Sequence, residues 1–291
     1  FKLNAETLEV YDSIPTPSAA VWTRDRAEDS IEALNADNSL ANLQLAIDNS
    51  KALQDLSAIY AVVGSNNWLY IAGADGSITA YGDRTEGDPT SPIEVKGHFQ
   101  VPAEAAGATL GMNMTYDGWL VIATEHGYMA AVKRDFTDHR LIRIRHSEGA
   151  EDKATGRTGY GWIRNGFAID QDGGIYIASQ DHMHKVVWDG DQLSTDEADG
   201  AWSEPYLNSW GHGTGATPSL MGFGEEDQFV VITDGQPQMN VVLFWRNQIP
   251  DDWEQLEGAP SRRIAGQAAV TMGNPELTEI QSEQSVVVAG Q

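Results

Sequence analysis

Cysteine is absent from this chain of 291 residues, and its absence excludes several kinds of site. Without a thiol the chain can form no disulfide, no cysteine nucleophile, no zinc–thiolate centre and no iron–sulfur cluster. Long apolar runs are absent too, since none approaches the roughly 18–20 residues that a membrane-spanning helix needs. Hydrophobic residues still make up 41% of the chain, which is enough for a large core. We therefore expect a folded protein that does not insert into membranes.

Basic residues are scarce. The chain has 43 acidic residues against 18 basic ones, which gives a formal net charge of -25. A surface this acidic repels nucleic-acid phosphates and anionic membranes, so neither is an expected partner. Two interpretations of the charge stay open. One is solubility in salty surroundings, as in marine or halophilic proteins, and the other is attraction of cations or cationic substrates.

A short pattern recurs five times along the chain and predicts the architecture. Its copies are spaced 51, 55, 55 and 56 residues apart, and each follows a polar turn and another short apolar run. A period of this length, built from β-branched and aromatic runs, is typical of the four-stranded blade of a β-propeller. We therefore predict an all-β propeller in which each copy is an inner strand. The copies are WLYIAG around Ile71, WLVIAT around Ile122, GIYIAS around Ile177, FVVITD around Ile232 and SVVVAG around Val288.

The two ends each resemble half a blade. Residues 1–18 are predicted to form an outer half-blade, residues 57–276 four complete blades, and residues 277–291 an inner half-blade. The halves could pair into one composite blade and close a five-bladed ring. Alternatively, both could be parts of a longer propeller with six to eight blades. The start at Phe1, with no initiator Met or signal peptide, fits a processed product or a fragment. We expect residues 1–291 to form one propeller domain.

Residues 25–56 break the strand pattern and predict an inserted helix of about four turns. Leu40, Leu43 and Ile47 recur near helical spacing, and Leu53 and Leu56 extend the series. Residues 37–39 (Asp-Asn-Ser) supply side chains that cap helix N-termini.

Repeated acid–histidine pairs mark candidate functional positions. The second copy ends at Glu125-His126 and the third at Asp181-His182, so equivalent turns carry the same pair. His184 lies two residues after His182, which places both imidazoles on one face of a strand. Such an imidazole–carboxylate cluster could bind Cu, Zn or Fe, whereas carboxylates and amides alone would suit Ca, so one divalent cation (Ca, Cu or Zn) is the possible cofactor. The same cluster could act in general acid–base catalysis with Glu125 or Asp181.

A glycine-rich loop supplies one more candidate residue. The sequence GHGTGATP contains His212, and loops of this kind on a rigid scaffold are common places for function. His98, His139 and His146 are interpreted as ordinary strand or surface residues.

The sequence NGFAID, residues 165–170, resembles the opening strand of gluconolactonase, senescence-marker and strictosidine-synthase-like propellers, and the DGGIYIAS that follows resembles the same families. In those proteins the Asn side chain reaches the axial channel and helps to bind a divalent cation. The resemblance implies this role for Asn165, and a looser match implies it for Asn113. The acidic metal ligands of that family have no matching motif in this chain.

A second resemblance is to quinoprotein propellers. The sequence EDKATGR, residues 151–157, with Trp162 beyond it, is similar to their blade-docking motif, although it occurs once and at a different spacing. No adjacent cysteine pair is present.

Two classes of function stay open on this sequence. The first is an extracellular or periplasmic propeller that binds a small molecule or a protein, or acts as a scaffold. The second is a metal-dependent lactonase-like hydrolase or oxidoreductase with its site at the mouth of the central channel. The repeats predict a scaffold, whereas the catalytic set is incomplete, so the binding class is preferred.

The net charge predicts that salt stabilises the fold. Because dissolved ions screen repulsion among the excess carboxylates, we expect the melting temperature to rise as NaCl is added. Differential scanning calorimetry across a salt series measures this directly. A flat or falling melting temperature would contradict the interpretation as adaptation to salt.

Overall fold

A computed structural model describes residues 1–16, 24–37, 39–50, 60–73, 75–147, 163, 165–222, 224, 227–282 and 284–289. The chain divides into two compact units, 1–98 and 99–291, and the boundary falls within one strand. Four antiparallel sheets, each four-stranded along its main path, follow one another along the sequence. Together they are the blades of an all-β propeller fold, as predicted. None of the described helices is long and apolar enough to span a membrane.

The first unit contains a hairpin, a helical insertion and blade 1. The N-terminal strands pair antiparallel, as predicted, and Asn4 Oδ1 accepts hydrogen bonds from two backbone N–H groups in the turn between them. Lys2 and Asp12 then tie this hairpin to the blade through Ser91 O and Ile93 N, at 2.8 and 2.7 Å. The hairpin is β1 (Lys2–Leu3) and β2 (Val10–Asp12), and the strands of blade 1 are β3 (Ala61–Val63), β4 (Leu69–Ala72), β5 (Ser77–Asp83) and β6 (Ile93–Gln100).

The insertion is helical as predicted, but it forms two helices, α1 (Arg24–Ala36) and α2 (Leu40–Ser50). Ser39 caps α2, because its Oγ accepts a hydrogen bond from Asn42 N at 3.3 Å. The Asp37 side chain accepts from Ser39 N, which stabilises the break between the helices. Leu53 and Leu56 of the predicted helix lie outside the described residues.

The second unit contains three blades. Blade 2 is β7 (Thr109–Met114), β8 (Leu120–Thr124), β9 (Tyr128–Val132) and β10 (His139–Arg143). Blade 3 is β11 (Ala168–Ile169), β12 (Gly174–Ala178) and β13 (His182–Trp188), with β14 (Leu193–Ser194) and β15 (Trp202–Pro205) both paired to β13. Blade 4 is β16 (Ser219–Met221), β17 (Phe229–Thr233), β18 (Asn240–Trp245) and β19 (Ile264–Ala269).

Four of the five repeat copies form β4, β8, β12 and β17, which are the second strands of the four blades. The fifth copy forms no strand in the described residues 284–289. A strand needs a hydrogen-bonded neighbour along its length, and this segment has only scattered bonds: Ser285 Oγ accepts from Thr217 N, and Val286 O accepts from Ser219 Oγ. A composite blade formed by the two chain ends stays a prediction.

Apolar packing joins the three blades of the second unit. Val121, Ile177 and Trp188 belong to a buried cluster between blades 2 and 3. Tyr176, Trp202 and Phe244 belong to another between blades 3 and 4. Every residue of β12 is buried, because side chains that alternate between the faces of a sheet are covered on both sides.

Gly173 in the β11–β12 turn gives a test of this geometry. Its φ is +85°, and a Cβ added there would lie 2.0 Å from Trp188 O. We expect Gly173→Ala to lower the free energy of unfolding by more than the about 1–2 kcal/mol that a left-handed backbone alone costs. The matched control is Gly200→Ala, where φ is +87° and no described atom beyond the two chain neighbours lies within 4 Å of the added Cβ. Equal losses in urea unfolding would contradict the predicted clash.

Candidate functional site

The predicted acid–histidine pairs lie in equivalent hairpin turns of the second unit. Glu125 and His126 occupy the β8–β9 turn, and Asp181 lies in the β12–β13 turn just before His182. The backbone of Ile163 links the two turns, because its N–H donates to Glu125 O at 3.3 Å and the residue forms a β-bridge with Ser179. The two equivalent turns that the repeats predicted therefore lie at one edge of neighbouring blades.

The first pair is mostly enclosed. Glu125 Oε1 lies 3.9 Å from His126 Nε2, and the two side chains are 12% and 22% exposed. The same carboxylate oxygen accepts a hydrogen bond from Ala108 N at 3.2 Å. A carboxylate beside an imidazole has the composition of a general acid–base pair, and that role for Glu125 and His126 stays a prediction.

Three histidines form a row at the junction of blades 2 and 3. The rings of His146 and His182 stack with centroids 4.3 Å apart and planes 10° from parallel. The rings of His182 and His184 follow at 6.0 Å, on one face of β13 as their spacing predicted. We call His146, His182 and His184 the histidine row.

His184 is the buried end of the row, with 1% exposure. Its Nε2 and Nδ1 lie 2.8 Å from Ser179 Oγ and 2.8 Å from Ser203 Oγ. Because both ring nitrogens have hydroxyl partners, His184 could bind a metal only by breaking one of these bonds. Burial holds the pKa of His184 well below its usual range, and the neighbouring His182 and His146 add to the effect. The imidazole is therefore neutral at pH 7.

His182 lies between the other two imidazoles. Burial lowers its pKa, His146 lowers it further, and Asp181 opposes both effects. Two positive charges at this separation would repel each other, which is the effect by which His146 lowers the pKa of His182.

His146 was interpreted from the sequence as an ordinary surface residue, and its place in the row was missed. Its φ of +57° is unusual for a residue other than glycine. Hydrogen bonds hold this turn, from Ile144 N to Gly127 O at 2.8 Å and from Ser147 Oγ to Ile144 O at 2.6 Å. The position of His146 in the repeat could have predicted this contact. His146 lies in the connection from the outer strand of blade 2 to blade 3, and such connections lie on the same edge as the β12–β13 turn.

His212 lies in residues 208–213, which we call the clasped loop. On the side of blade 3, Asn208 Nδ2 donates to Asp181 Oδ1 at 2.9 Å, and Gln180 Nε2 donates to Gly211 O at 2.5 Å. Asn208 Oδ1 accepts from the N–H groups of Gly211 and Gly213. The loop is therefore anchored to the turn that carries Asp181.

The clasped loop is also bonded to blade 4. Trp210 N donates to Gly235 O at 3.0 Å, and Gly235 N donates to Leu207 O at 2.9 Å. Gly235 must lack a side chain, because a Cβ there would lie 2.2 Å from Asn208 Oδ1. The Trp210 side chain remains 45% exposed, with its ring 6.3 Å from that of His212.

The two asparagines predicted as metal ligands make blade-to-blade bonds. Asn165 Nδ2 donates to Thr214 O at 2.9 Å, and Asn113 Nδ2 donates to Phe167 O at 3.3 Å. They are not equivalent in register. Thr115 and Asp170 are equivalent, because the backbone N–H of each donates to the carbonyl of the residue four positions later. In this alignment Asn113 corresponds to Ala168 and not to Asn165.

No three His, Asp or Glu side chains in the part of the chain that the structure describes converge well enough to hold a metal ion. The divalent cation, its predicted ligands Asn113, Asn165, His182 and His184, and catalysis by Glu125 or Asp181 therefore stay predictions. Residues 151–157 and Trp162, which resemble the quinoprotein motif, lie outside the described residues.

No protein-family model matches this chain. A curated relative, an uncharacterized protein of Archaeoglobus fulgidus, is 39% identical over 235 residues, which cover 80% of this chain and 43% of that protein. The chain thus spans less than half the length of this relative.

Similar solved structures have low TM-scores. A catalytically inactive virginiamycin B lyase from Staphylococcus aureus, solved with quinupristin, gives a TM-score of 0.41 at 7% identity over 63% of this chain and 50% of that one. A streptogramin B lyase gives 0.37 at 8% identity, over 60% and 49% of the two chains. The β-propeller domain of Myceliophteria thermophila Cps50 (Swd1) gives 0.42 at 10% identity, over 67% and 54%. The blade assignment here rests on the sheets of this chain.

The buried histidine predicts a loss of stability in acid. His184 is neutral in the folded state, whereas in the unfolded chain it binds a proton below about pH 6.5. The unfolded state then holds more protons, so falling pH favours unfolding by up to about 1.4 kcal/mol per pH unit for this group. We expect urea unfolding between pH 8 and pH 5.5 to show a shallower pH dependence in His184→Gln than in the parent.

The control for this experiment is His139→Gln, because His139 is an exposed residue of the outer strand of blade 2. It should keep the pH dependence of the parent. An unchanged slope in His184→Gln would contradict the assignment of a neutral buried imidazole.

Proposed function

We propose that this chain is a ligand-binding β-propeller and that the clasped loop, with the adjoining histidine row, forms its binding surface. The observation that carries the proposal is the combination of restraint and exposure at Trp210. Hydrogen bonds fix the loop on both sides, while the indole stays 45% exposed. Large aromatic side chains are frequent anchors of binding energy when they are exposed in this way in the free protein.

The bracing of the loop favours binding over a merely structural role. A loop that is ordered before binding loses less conformational entropy when it meets a ligand. Here Asn208 contributes through both ends of its amide, to Asp181 on one side and to Gly211 and Gly213 on the other. The acid–histidine turn that the repeats predicted thus supports the loop that presents Trp210 and His212.

The proposed ligand is a small molecule or a protein surface. Nucleic acid is not proposed as a partner, because the net charge of -25 opposes phosphate binding. An extracellular or periplasmic location forms part of the proposal. The resemblance to gluconolactonase-like propellers supports the scaffold. A metal-dependent hydrolase or oxidoreductase stays the alternative function that the same resemblance implies.

Fluorine NMR tests this surface directly. The chain contains nine tryptophans, so protein labelled with 5-fluorotryptophan gives a small set of signals, and Trp210→Phe assigns that of Trp210. We expect binders from a panel of sugars, amines, carboxylic acids and short peptides to shift this signal. Trp210→Ala should weaken their binding by at least about tenfold, or about 1.4 kcal/mol.

The matched control is Tyr116→Ala. Tyr116 is also an exposed aromatic residue, at 74%, but it lies in the β7–β8 turn at the opposite end of the strands. Its removal should leave affinity unchanged. A panel whose binders never shift the Trp210 signal, or bind Trp210→Ala equally well, would overturn the proposal.

A further inference from the structure

A cleft of about 480 Å³ lies between blades 3 and 4 of the second unit, within the size range of small-molecule sites. No residue of the clasped loop or of the histidine row lines it. Its lining includes Lys185, Glu197, Trp202, Glu204, Asn247 and Arg263.

Lys185 is the unusual member of this lining. It lies opposite Trp202 in the β13–β15 pairing, and its Nζ donates to Asn247 Oδ1 at 2.8 Å. Among the residues that the structure describes, Lys185 forms no ion pair with a carboxylate. The absence is notable in a chain with 43 acidic and 18 basic residues. Burial lowers the pKa of Lys185, and the positive charges of Arg263 and Arg246 lower it further, against the opposing effect of Asp170.

Arg263 brings a second cation to the same place. Its guanidinium lies over the Trp202 ring, 4.7 Å from the ring centroid, and Nη1 donates to Asn247 O at 2.7 Å. Both cations therefore contact Asn247. Among the described residues Arg263 Nε is buried without a hydrogen-bond acceptor, and it forms an ion pair with Glu204 Oε1 at 3.8 Å.

The carboxylates of the cleft are already engaged. Glu204 Oε2 accepts from Ser261 Oγ at 2.7 Å. Glu197 lies at the rim and pairs with Arg145 at 3.1 Å. A partly buried cation is costly unless an anion offsets its lost hydration, and within this lining no carboxylate is bonded to Lys185.

We propose that this cleft binds a small carboxylate anion, with Lys185 and Arg263 as the groups that recognise it. The planar guanidinium suits the two oxygens of a carboxylate, and the ammonium adds a point charge. Glu197 and Glu204 disfavour a dianion, so a monocarboxylate fits better than phosphate at neutral pH. This site is independent of the function proposed for the clasped loop.

NMR of lysine side chains tests the proposal with sodium acetate as the probe. The chain has six lysines, and Lys185→Met assigns the ε-methylene signal of Lys185 in ¹³C-lysine-labelled protein. At constant ionic strength, kept with NaCl, we expect acetate to shift this signal saturably. We also expect it to raise the pKa of Lys185, because a bound anion favours the charged form.

Two variants and one competitor sharpen the test. Arg263→Met should weaken acetate binding at least fivefold. Lys133→Met should leave it unchanged, although Lys133 also lies over an aromatic ring, that of Trp119. Inorganic phosphate at the same ionic strength should bind more weakly than acetate.

Three results would overturn the proposal. The first is a Lys185 shift that does not saturate, or that matches the shift of Lys133, because it would reflect only the ionic surroundings. The second is unchanged affinity in Arg263→Met. The third is tighter binding of phosphate than of acetate, which would reject the carboxylate assignment.

Discussion

Packing between neighbouring blades is the constraint on which the second unit depends. A four-stranded sheet with two apolar faces is stable only when both are covered, and blade 3 meets blade 2 through one cluster and blade 4 through another. Buried strands such as β12 therefore have little room for polar functional side chains. The polar side chains of interest lie where the strands end, or along the margins where two blades separate.

Blade-to-blade packing also explains why polar bonds cross between blades. Asn113 donates to Phe167 O, and Asn165 donates to Thr214 O. Each amide satisfies a backbone carbonyl of the next blade, which apolar packing alone cannot do. A motif that resembles a metal-ligand position in other propellers is thus used here in joining blades. An asparagine at a familiar place in a propeller therefore does not identify an activity.

The features that could be predicted from the sequence are those with a local cause. Short apolar runs of β-branched and aromatic residues, repeated between turn residues, predicted β4, β8, β12 and β17, and Ser39 predicted a helix start. The equivalent turns with Glu125 and Asp181 could be found because the repeat aligns them. The fifth copy has the same local pattern without a strand among its described residues, since pairing depends on partners that the pattern does not specify.

Contacts between distant parts of the chain could not be predicted in the same way. His146 meets His182 only because the turn after β10 is held in a left-handed conformation beside the next blade. Lys185 and Arg263 are far apart in sequence, and Asn247 brings them together through its side chain and its carbonyl. In both cases the residue types are ordinary, and the contacts between them arise only at the junction between blades.

A single strand connects these two junctions. Side chains alternate along β13, so His182 and His184 face blade 2, while Lys185 faces blade 4. A shift of one residue in the pairing of β13 would exchange these environments, placing the lysine among the imidazoles and the histidines beside Arg263. Pairing of β13 with β15 opposes such a shift, because it sets Ser203 opposite His184 and Trp202 opposite Lys185. The register of this one pair therefore determines which chemistry each junction can have.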